Sequence, residues 1–202
     1  MLGTLPMKIN QQTGEISYNS NISGNFVSVI RIDGYKCGQQ IASIYREIQA
    51  VLIGCPLLPN GQNNLPPIIT PPFPGNPNPY YQTVSAGDLV SFSINAVDSD
   101  VYAGNISQDV VLEITGGQVS GDYIDTSLCD NPPCATFVEQ NSGATPPFAT
   151  ANGTGTGNFE WVTSCNHVIN TCSGYSPSVY TFVVRVTDDF CPAPAIENTA
   201  QV

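Results

Sequence analysis

Alternation of hydrophobic and polar residues is the clearest local pattern in this chain, and it predicts β-strands. In residues 88–97, the even-numbered positions from Val90 to Ala96 are apolar, whereas the odd-numbered positions from Ser91 to Asn95 are polar. A strand with one buried face has this period of two.

Three more segments are predicted strands. Residues 26–32 and 180–186 combine β-branched and aromatic side chains at strand length, a composition enriched in β-sheets. Residues 41–53 contain helix-favouring residues such as Glu47 and Ala50. We nevertheless predict a strand there, because the segment belongs to an internal repeat.

Proline and glycine mark the breaks between strands. Nine prolines lie between residues 56 and 79. Proline fixes φ and lacks an N–H donor, so we expect this segment to be extended, mostly unpaired and semi-stiff. The Gly-Thr run at 153–157 predicts a flexible turn, because it lacks the preceding strand and following helix of a phosphate-binding loop.

The internal repeat is most distinct around two arginines. The segment Val29–Ile32 (VIRI) matches Val183–Val186 (VVRV). A cysteine stands six positions after the arginine in each copy, so that Cys191 follows Cys37 by 154 positions. Such self-similarity is typical of tandem modules.

A second match places the module boundaries. Residues 13–18 match residues 156–161 at a spacing of 143 positions. We therefore predict that residues 1–55 are the C-terminal half of a β-sandwich repeat. Residues 56–79 form a proline-rich connector, and residues 80–202 form a second β-sandwich repeat whose last strand is truncated.

The predicted fold class is all-β, with tandem immunoglobulin-like or cadherin-like β-sandwich modules, the first one partial. Strands 88–97, 157–163 and 178–188 should alternate in direction, so the loops that follow the first and third strands meet at one end of the module. Those loops carry four acidic residues, Asp98, Asp100, Asp188 and Asp189.

These four aspartates are candidate calcium ligands, because calcium binds six to eight oxygens from clustered carboxylates and carbonyls. Calcium is the one cofactor that the sequence raises. The alternative is that the aspartates are ordinary loop residues that keep the strand ends soluble. No Asp-x-Asp-x-Asp-Gly loop is present to decide between them.

Seven cysteines and a single histidine, without paired CxxC motifs, favour disulfides over a zinc site. The strand order predicts three bridges within the chain and one to a preceding module: Cys129–Cys134, Cys165–Cys172 and Cys55–Cys191, with Cys37 bonded to that module. The rival pairing of Cys165 with Cys191 joins opposite ends of the sandwich. The 11 residues that the second copy carries beyond the first contain Cys165 and Cys172.

Charge excludes several partners. Sixteen acidic and five basic residues give a formal net charge of −11, which cannot neutralise a phosphate backbone or an anionic lipid surface. No apolar run approaches the roughly 20 residues of a membrane-spanning helix. We therefore expect neither nucleic-acid binding nor membrane insertion.

No catalytic constellation emerges, so no enzymatic activity is predicted. His167 lacks a matched nucleophile and acid, and is expected at the surface. Glu113 and Glu160 are isolated carboxylates rather than a glycosidase pair. Tyr18 and Trp161 hold equivalent strand positions and are predicted core aromatics.

Several segments together carry a family resemblance: Thr13–Ile16, Phe26–Gly38, Arg46–Val51, Phe159–Val162 and Tyr180–Pro192. They resemble the tandem repeats of gliding-motility-associated cell-surface proteins of bacteria. The resemblance implies type IX secretion, an extracellular location at the bacterial cell surface and a structural role in a filamentous adhesin. The implied partners are neighbouring repeats of the same chain and other cell-surface motility or adhesion components, with surface polysaccharide as a further candidate.

An alternative function from another class is a carbohydrate-binding accessory module of a secreted enzyme. Exposed aromatic side chains would then bind polysaccharide, and the candidates are Tyr80, Tyr81 and Tyr175.

Overall fold

The computed structural model divides the chain into two compact units, Met1–Cys55 and Pro56–Val202. It describes residues 7–9, 16–18, 22–54, 56–168, 170–171, 174–175, 178–190 and 197–201, and only the backbone of Tyr18, 170–171, 174–175 and 197–201. The fold is all-β, as predicted. Within the described residues, the one helical segment is a 3₁₀ turn at Cys165–His167.

The first unit consists of two antiparallel strand pairs. Strands β1 (Met7–Ile9) and β2 (Ile16–Tyr18) pair with each other, and β3 (Gly24–Lys36) pairs with β4 (Gln39–Leu52). The strand predicted within 41–53 is confirmed. The favourable pairing with β3 therefore outweighs the helical propensity of this segment.

The turn between β3 and β4 contains two residues, Cys37 and Gly38, with φ values of 50° and 78°. Positive φ at both central residues matches the right-handed twist of the flanking strands. The hairpin register is thereby set by the turn as well as by the strands.

The second unit is a sandwich of two four-stranded antiparallel sheets. One sheet has the strand order β10-β12-β6-β5 and the other β11-β9-β15-β16. The strands of the two sheets are β5 (Ile68–Thr70), β6 (Leu89–Val97), β9 (Val110–Thr115), β10 (Thr136–Glu139), β11 (Phe148–Thr150), β12 (Thr154–Val162), β15 (Val183–Asp188) and β16 (Glu197–Gln201). Short two-stranded ribbons join β7 (Val101–Tyr102) to β8 (Ile106–Ser107) and β13 (Asn170–Thr171) to β14 (Gly174–Tyr175).

The core lies between the two sheets, and the alternation predicted for β6 decides which face enters it. Ile94 and Ala96 are buried, whereas Ser93 and Asn95 are exposed. Trp161 is also part of this core, as predicted. The remaining apolar members come from both sheets: Ile69, Val110, Leu112, Ile114, Ala135, Phe137, Phe148, Phe159, Phe182, Val184 and Val186.

One part of the proline-rich segment forms a strand, which the prediction of an extended, mostly unpaired connector did not include. Residues Ile68–Thr70 form β5, which pairs with β6 at the edge of a sheet. Leu58 and Ile69 are buried in the second unit. An edge strand tolerates flanking prolines, because only one side of its backbone needs ladder hydrogen bonds.

The glycine-rich run at 153–157 is also not a turn, because β12 begins at Thr154. Gly157 serves packing: a Cβ at this position would lie 2.1 Å from a ring carbon of Phe137. The glycine lets the aromatic ring lie directly on the backbone.

The two copies of the arginine-containing strand form hairpins of the same register. Arg31 lies opposite Tyr45 in β3–β4, and Arg185 lies opposite Thr199 in β15–β16. All five residue pairs of β15–β16 reproduce pairs of β3–β4 at a spacing of 154 positions. The earlier match does not extend to pairing, because β2 pairs with β1 while β12 pairs with β6 and β10.

Candidate functional site

The structure brings the predicted acidic loops together at one end of the sandwich. Asp98 follows β6, and Asp188 ends β15. Asp98 and Asp188 interact electrostatically with each other, and each also interacts with Asp100 and Asp189. Antiparallel topology therefore produces the convergence that the strand order predicts.

Two of these carboxylates are buried. The exposed fraction is 8% for Asp98 and 2% for Asp188. Asp98 Oδ1 accepts a hydrogen bond from the Asp100 backbone at 2.8 Å, but its buried Oδ2 has no hydrogen-bond partner among the described residues. Asp188 accepts the Phe190 N–H at 3.0 Å.

Two amide side chains that the sequence did not single out complete this end of the sandwich. Asn64 Nδ2 donates to Asp188 Oδ2 at 2.8 Å, and Gln108 Nε2 donates to Asn64 Oδ1 at 2.7 Å. Gln108 is fully buried, and its Oε1 has no hydrogen-bond partner within the described part of the chain. Asn64 belongs to the proline-rich segment, whose interpretation as a connector hid its role.

The electrostatics of this end disfavour ionised aspartate. Burial raises the pKa of Asp98 and of Asp188, and the neighbouring carboxylates raise both pKa values further. Hydrogen bonds from Asp100 to Asp98, and from Phe190 and Asn64 to Asp188, oppose the shift without removing it. The balance is that of buried acids without compensating positive charge.

The carboxylates alone do not make a metal centre. Among the residues that the structure describes, no group of three or more histidine, cysteine, aspartate or glutamate side chains is arranged to hold a metal ion. Any cation at this end of the sandwich would therefore need the amide oxygens as well as the aspartates.

A cavity of about 220 Å³ lies near the opposite end of β6, and several aromatic side chains contribute to its lining. Its lining includes Phe73, Tyr80, Tyr81, Trp161 and Tyr180. The Trp161 ring contacts the Tyr180 ring edge-on at a centroid distance of 5.0 Å, and its Nε1 donates to the Pro133 carbonyl at 2.9 Å. Of the predicted carbohydrate contacts, Tyr80 and Tyr81 thus share a site, while the side chain of Tyr175 lies outside the described part of the chain.

His167 is buried, which corrects its expected surface position. Its Nδ1 accepts the Ser164 N–H at 2.9 Å, so a neutral ring carries its proton on Nε2, which lies 2.8 Å from the Asn131 carbonyl. Its ring also contacts the Trp161 ring in a tilted arrangement, at a centroid distance of 4.8 Å. These contacts with backbone groups explain the burial of His167. The sequence around His167 gave no sign of them.

Cys129 and Cys134 form the predicted disulfide, with a Cα–Cα distance of 5.7 Å. Cys165, in contrast, has a free, exposed thiol, so the predicted bridge to Cys172 and the rival bridge to Cys191 are both wrong for this residue. Cys165 begins the 3₁₀ turn, whose contacts hold His167 inward and leave Cys165 facing solvent.

Cys37 is disulfide-bonded. Its partner is not one of the described cysteines, because Cys129 and Cys134 are bonded to each other and Cys165 is free. The predicted bridge of Cys37 to a preceding module stays a prediction. Cys55, Cys172 and Cys191 lie outside the described residues, and so does the predicted Cys55–Cys191 bridge.

The side chain of Tyr18 also lies outside the described part, so its predicted equivalence to Trp161 stays a prediction. Among the described residues, no helix is long and apolar enough to cross a membrane. Comparison with protein-family models, with curated proteins and with solved structures found no match to this chain.

Proposed function

We propose that this chain is a structural repeat segment of a filamentous bacterial cell-surface adhesin involved in gliding motility and surface attachment. The observation that supports the proposal best is the shared register of the β3–β4 and β15–β16 hairpins, 154 positions apart. A chain that builds the same supersecondary unit twice is typical of tandem modular proteins.

The exposed surface of the first hairpin fits a chain of neighbouring repeats. Ile30 and Ile32 are equivalent to Val184 and Val186, which are fully buried in the second unit. In β3–β4, Ile32 lies opposite Ile44, and the two side chains are 50% and 49% exposed. Apolar faces of this kind usually pack against a partner, and the proposed partner is the neighbouring repeat of the same chain.

The chemistry of the second unit suits an extracellular position under load. Strands β12 and β6 pair over nine residues, and the Cys129–Cys134 disulfide closes an adjacent loop. Disulfides persist in oxidising environments outside the cytoplasm. Neither feature requires a catalytic centre, in keeping with a mechanical rather than enzymatic role.

Surface labelling of living cells tests this function. An antibody raised against residues 56–202 should label unpermeabilised cells of the source bacterium, and beads coated with it should travel along gliding cells. Deletion of the gene should stop gliding on glass. Labelling that requires permeabilisation, or normal gliding of the deletion strain, would contradict the proposal.

The aromatic cavity favours a second candidate function, the carbohydrate-binding accessory module. Tyr81 lines the cavity with 51% of its surface exposed, and aromatic faces bind sugar rings by stacking. Binding to immobilised polysaccharide that is lost in Tyr81→Ala and retained in Tyr45→Ala would favour this candidate. Tyr45 is a suitable control because it is 67% exposed and belongs to the first unit.

A further inference from the structure

We propose that a divalent cation, calcium by the chemistry of its ligands, binds at the Asp98–Asp188 end of the sandwich and fastens the proline-rich segment to it. The candidate ligands are Asp98, Asp188 and Gln108, with Asp100 at the rim. The site concerns this chain alone and stands whether or not the chain belongs to an adhesin.

The orientation of two amides carries the first part of the argument. An ionised Asp188 can only accept hydrogen bonds, so Asn64 must present its Nδ2 to it. Asn64 Oδ1 then faces Gln108. Because this oxygen can only accept, Gln108 must donate to it through Nε2. This chain of contacts leaves Gln108 Oε1 as an acceptor in a fully buried side chain without a donor.

Asp98 supplies a second unsatisfied oxygen in the same cluster. This buried Oδ2 has no partner in the part of the chain that the structure describes, and Asp98 interacts with Asp188 through their charges. Two unpartnered buried oxygens of different side chains are rare in native proteins, because each one loses its hydration without compensation. A cation bound between the two side chains would coordinate both oxygens.

The chain contains only five lysine and arginine residues. Among the described residues, none of them forms an ion pair with an aspartate of this cluster. The ion pairs among the described residues, Arg31–Asp33 and Arg185–Glu113, lie elsewhere. Buried carboxylates require a counter-charge or a proton. At neutral pH, a bound divalent ion is the counter-charge that this end of the sandwich lacks.

Oxygen ligands identify the ion as a hard one. The described side chains of the cluster offer carboxylate and amide oxygens, without histidine nitrogen or cysteine sulfur. Calcium accepts such mixed oxygen sets and fills its remaining positions with water, whereas magnesium demands a stricter octahedron. Asp189, beside the cluster, is exposed to solvent.

The expected consequence is a firmer attachment of the proline-rich segment. Asn64 bonds to Asp188, and the Leu65 N–H donates to Asp100 Oδ2 at 2.7 Å. A cation that holds both aspartates in place would hold these two contacts as well. Cation binding is thereby coupled to the order of residues 56–67.

Thermal unfolding of the whole chain, followed by fluorescence of its single tryptophan, Trp161, tests the site. Calcium chloride at about 100-fold above Kd should raise the Tm by about 5–10 °C over EDTA at pH 7, and magnesium chloride should raise it less. Asp98→Asn and Gln108→Leu should abolish the shift. The control Asp130→Asn, an exposed acid in a different loop, should retain it.

Measuring the Tm with calcium chloride and with EDTA at lower pH distinguishes loss of the ion from misfolding. Asp98 and Asp188 have raised pKa values in the fold, so in EDTA the stability should rise as pH falls from 7 towards about 4 and these acids take up protons. The charged and titratable neighbours are Asp100, Asp109, Asp189 and Tyr102. The calcium-induced shift should vanish over the same pH range.

For the same reason, Asp98→Asn should be at least as stable as the unmodified chain in EDTA at pH 7, which separates loss of the ion from loss of the fold. No Tm shift with 10 mM calcium chloride at pH 7 would overturn the proposal. So would a shift that survives in Asp98→Asn and Gln108→Leu, or one that disappears in Asp130→Asn.

Discussion

The β3–β4 and β15–β16 hairpins pair their backbones identically but differ in what surrounds them. In β15, Val184 and Val186 are fully buried between two sheets. At the equivalent positions of β3, Ile30 is half-buried and Ile32 is 50% exposed. The same local pattern therefore produces the same hairpin, while burial depends on whether a second sheet is present.

This difference shows that strand register and stability have different physical origins. Register follows from the alternation of side chains and from the turn, both of which are local. Stability follows mainly from apolar area removed from water, which requires partners distant in sequence. The arginines show the same division: Arg185 reaches Glu113 on β9, whereas Arg31 pairs with Asp33 on its own strand.

Charged substitutions at equivalent positions should give the largest difference in stability between the two hairpins. Val186→Asp places an unpaired carboxylate in the core, and we expect it to lower the free energy of unfolding by about 3–5 kcal/mol. Ile32→Asp at the matching position should change it by less than about 0.5 kcal/mol. Urea unfolding followed by Trp161 fluorescence and by hydrogen exchange of β3–β4 amides measures both.

An equal loss in both variants would show that Ile32 is buried in solution. The two units would then not differ in the way that their exposure indicates.

Two glycines, one in each unit, should show a smaller difference of the same kind. Gly157→Ala drives a methyl group into the Phe137 ring, and we expect a loss of about 1–3 kcal/mol from the strain of overpacking. At Gly34 in β3, a Cβ would meet nothing closer than Ala42 Cβ at 3.6 Å. Gly34→Ala should therefore be neutral to within about 0.5 kcal/mol in calorimetric unfolding, and a large loss there would contradict an open hairpin face.

Local sequence patterns predicted the parts of this fold that local physics controls. The apolar face of β6 follows from alternation, and strand order alone placed Asp98 near Asp188. The short loop between Cys129 and Cys134 made their disulfide accessible to prediction as well.

The remaining features depend on contacts between distant residues. The His167 ring is buried against the Ser164 backbone N–H and the Asn131 carbonyl. Sequence periodicity does not predict such contacts. Asn64 and Gln108 meet across 44 positions, so neither was a candidate ligand. The proline content around β5 concealed a strand, because composition does not tell an edge strand from a linker.

The two arginines give the smallest expected difference. Arg185→Met removes a cross-strand pair with Glu113 whose partners are 42% and 35% exposed, so we expect a loss of about 0.2–1 kcal/mol that shrinks in high salt. Arg31→Met removes an ion pair between two residues of the same strand. Because this pair does not connect two strands, the loss in free energy of unfolding should be smaller still. A double-mutant cycle with Glu113→Gln, measured by urea unfolding at low and high salt, isolates the pair energy from other contacts of Arg185. A coupling energy of zero at low salt would mean that the cross-strand pair adds nothing to the second hairpin, and the difference between the hairpins would then rest on apolar burial alone.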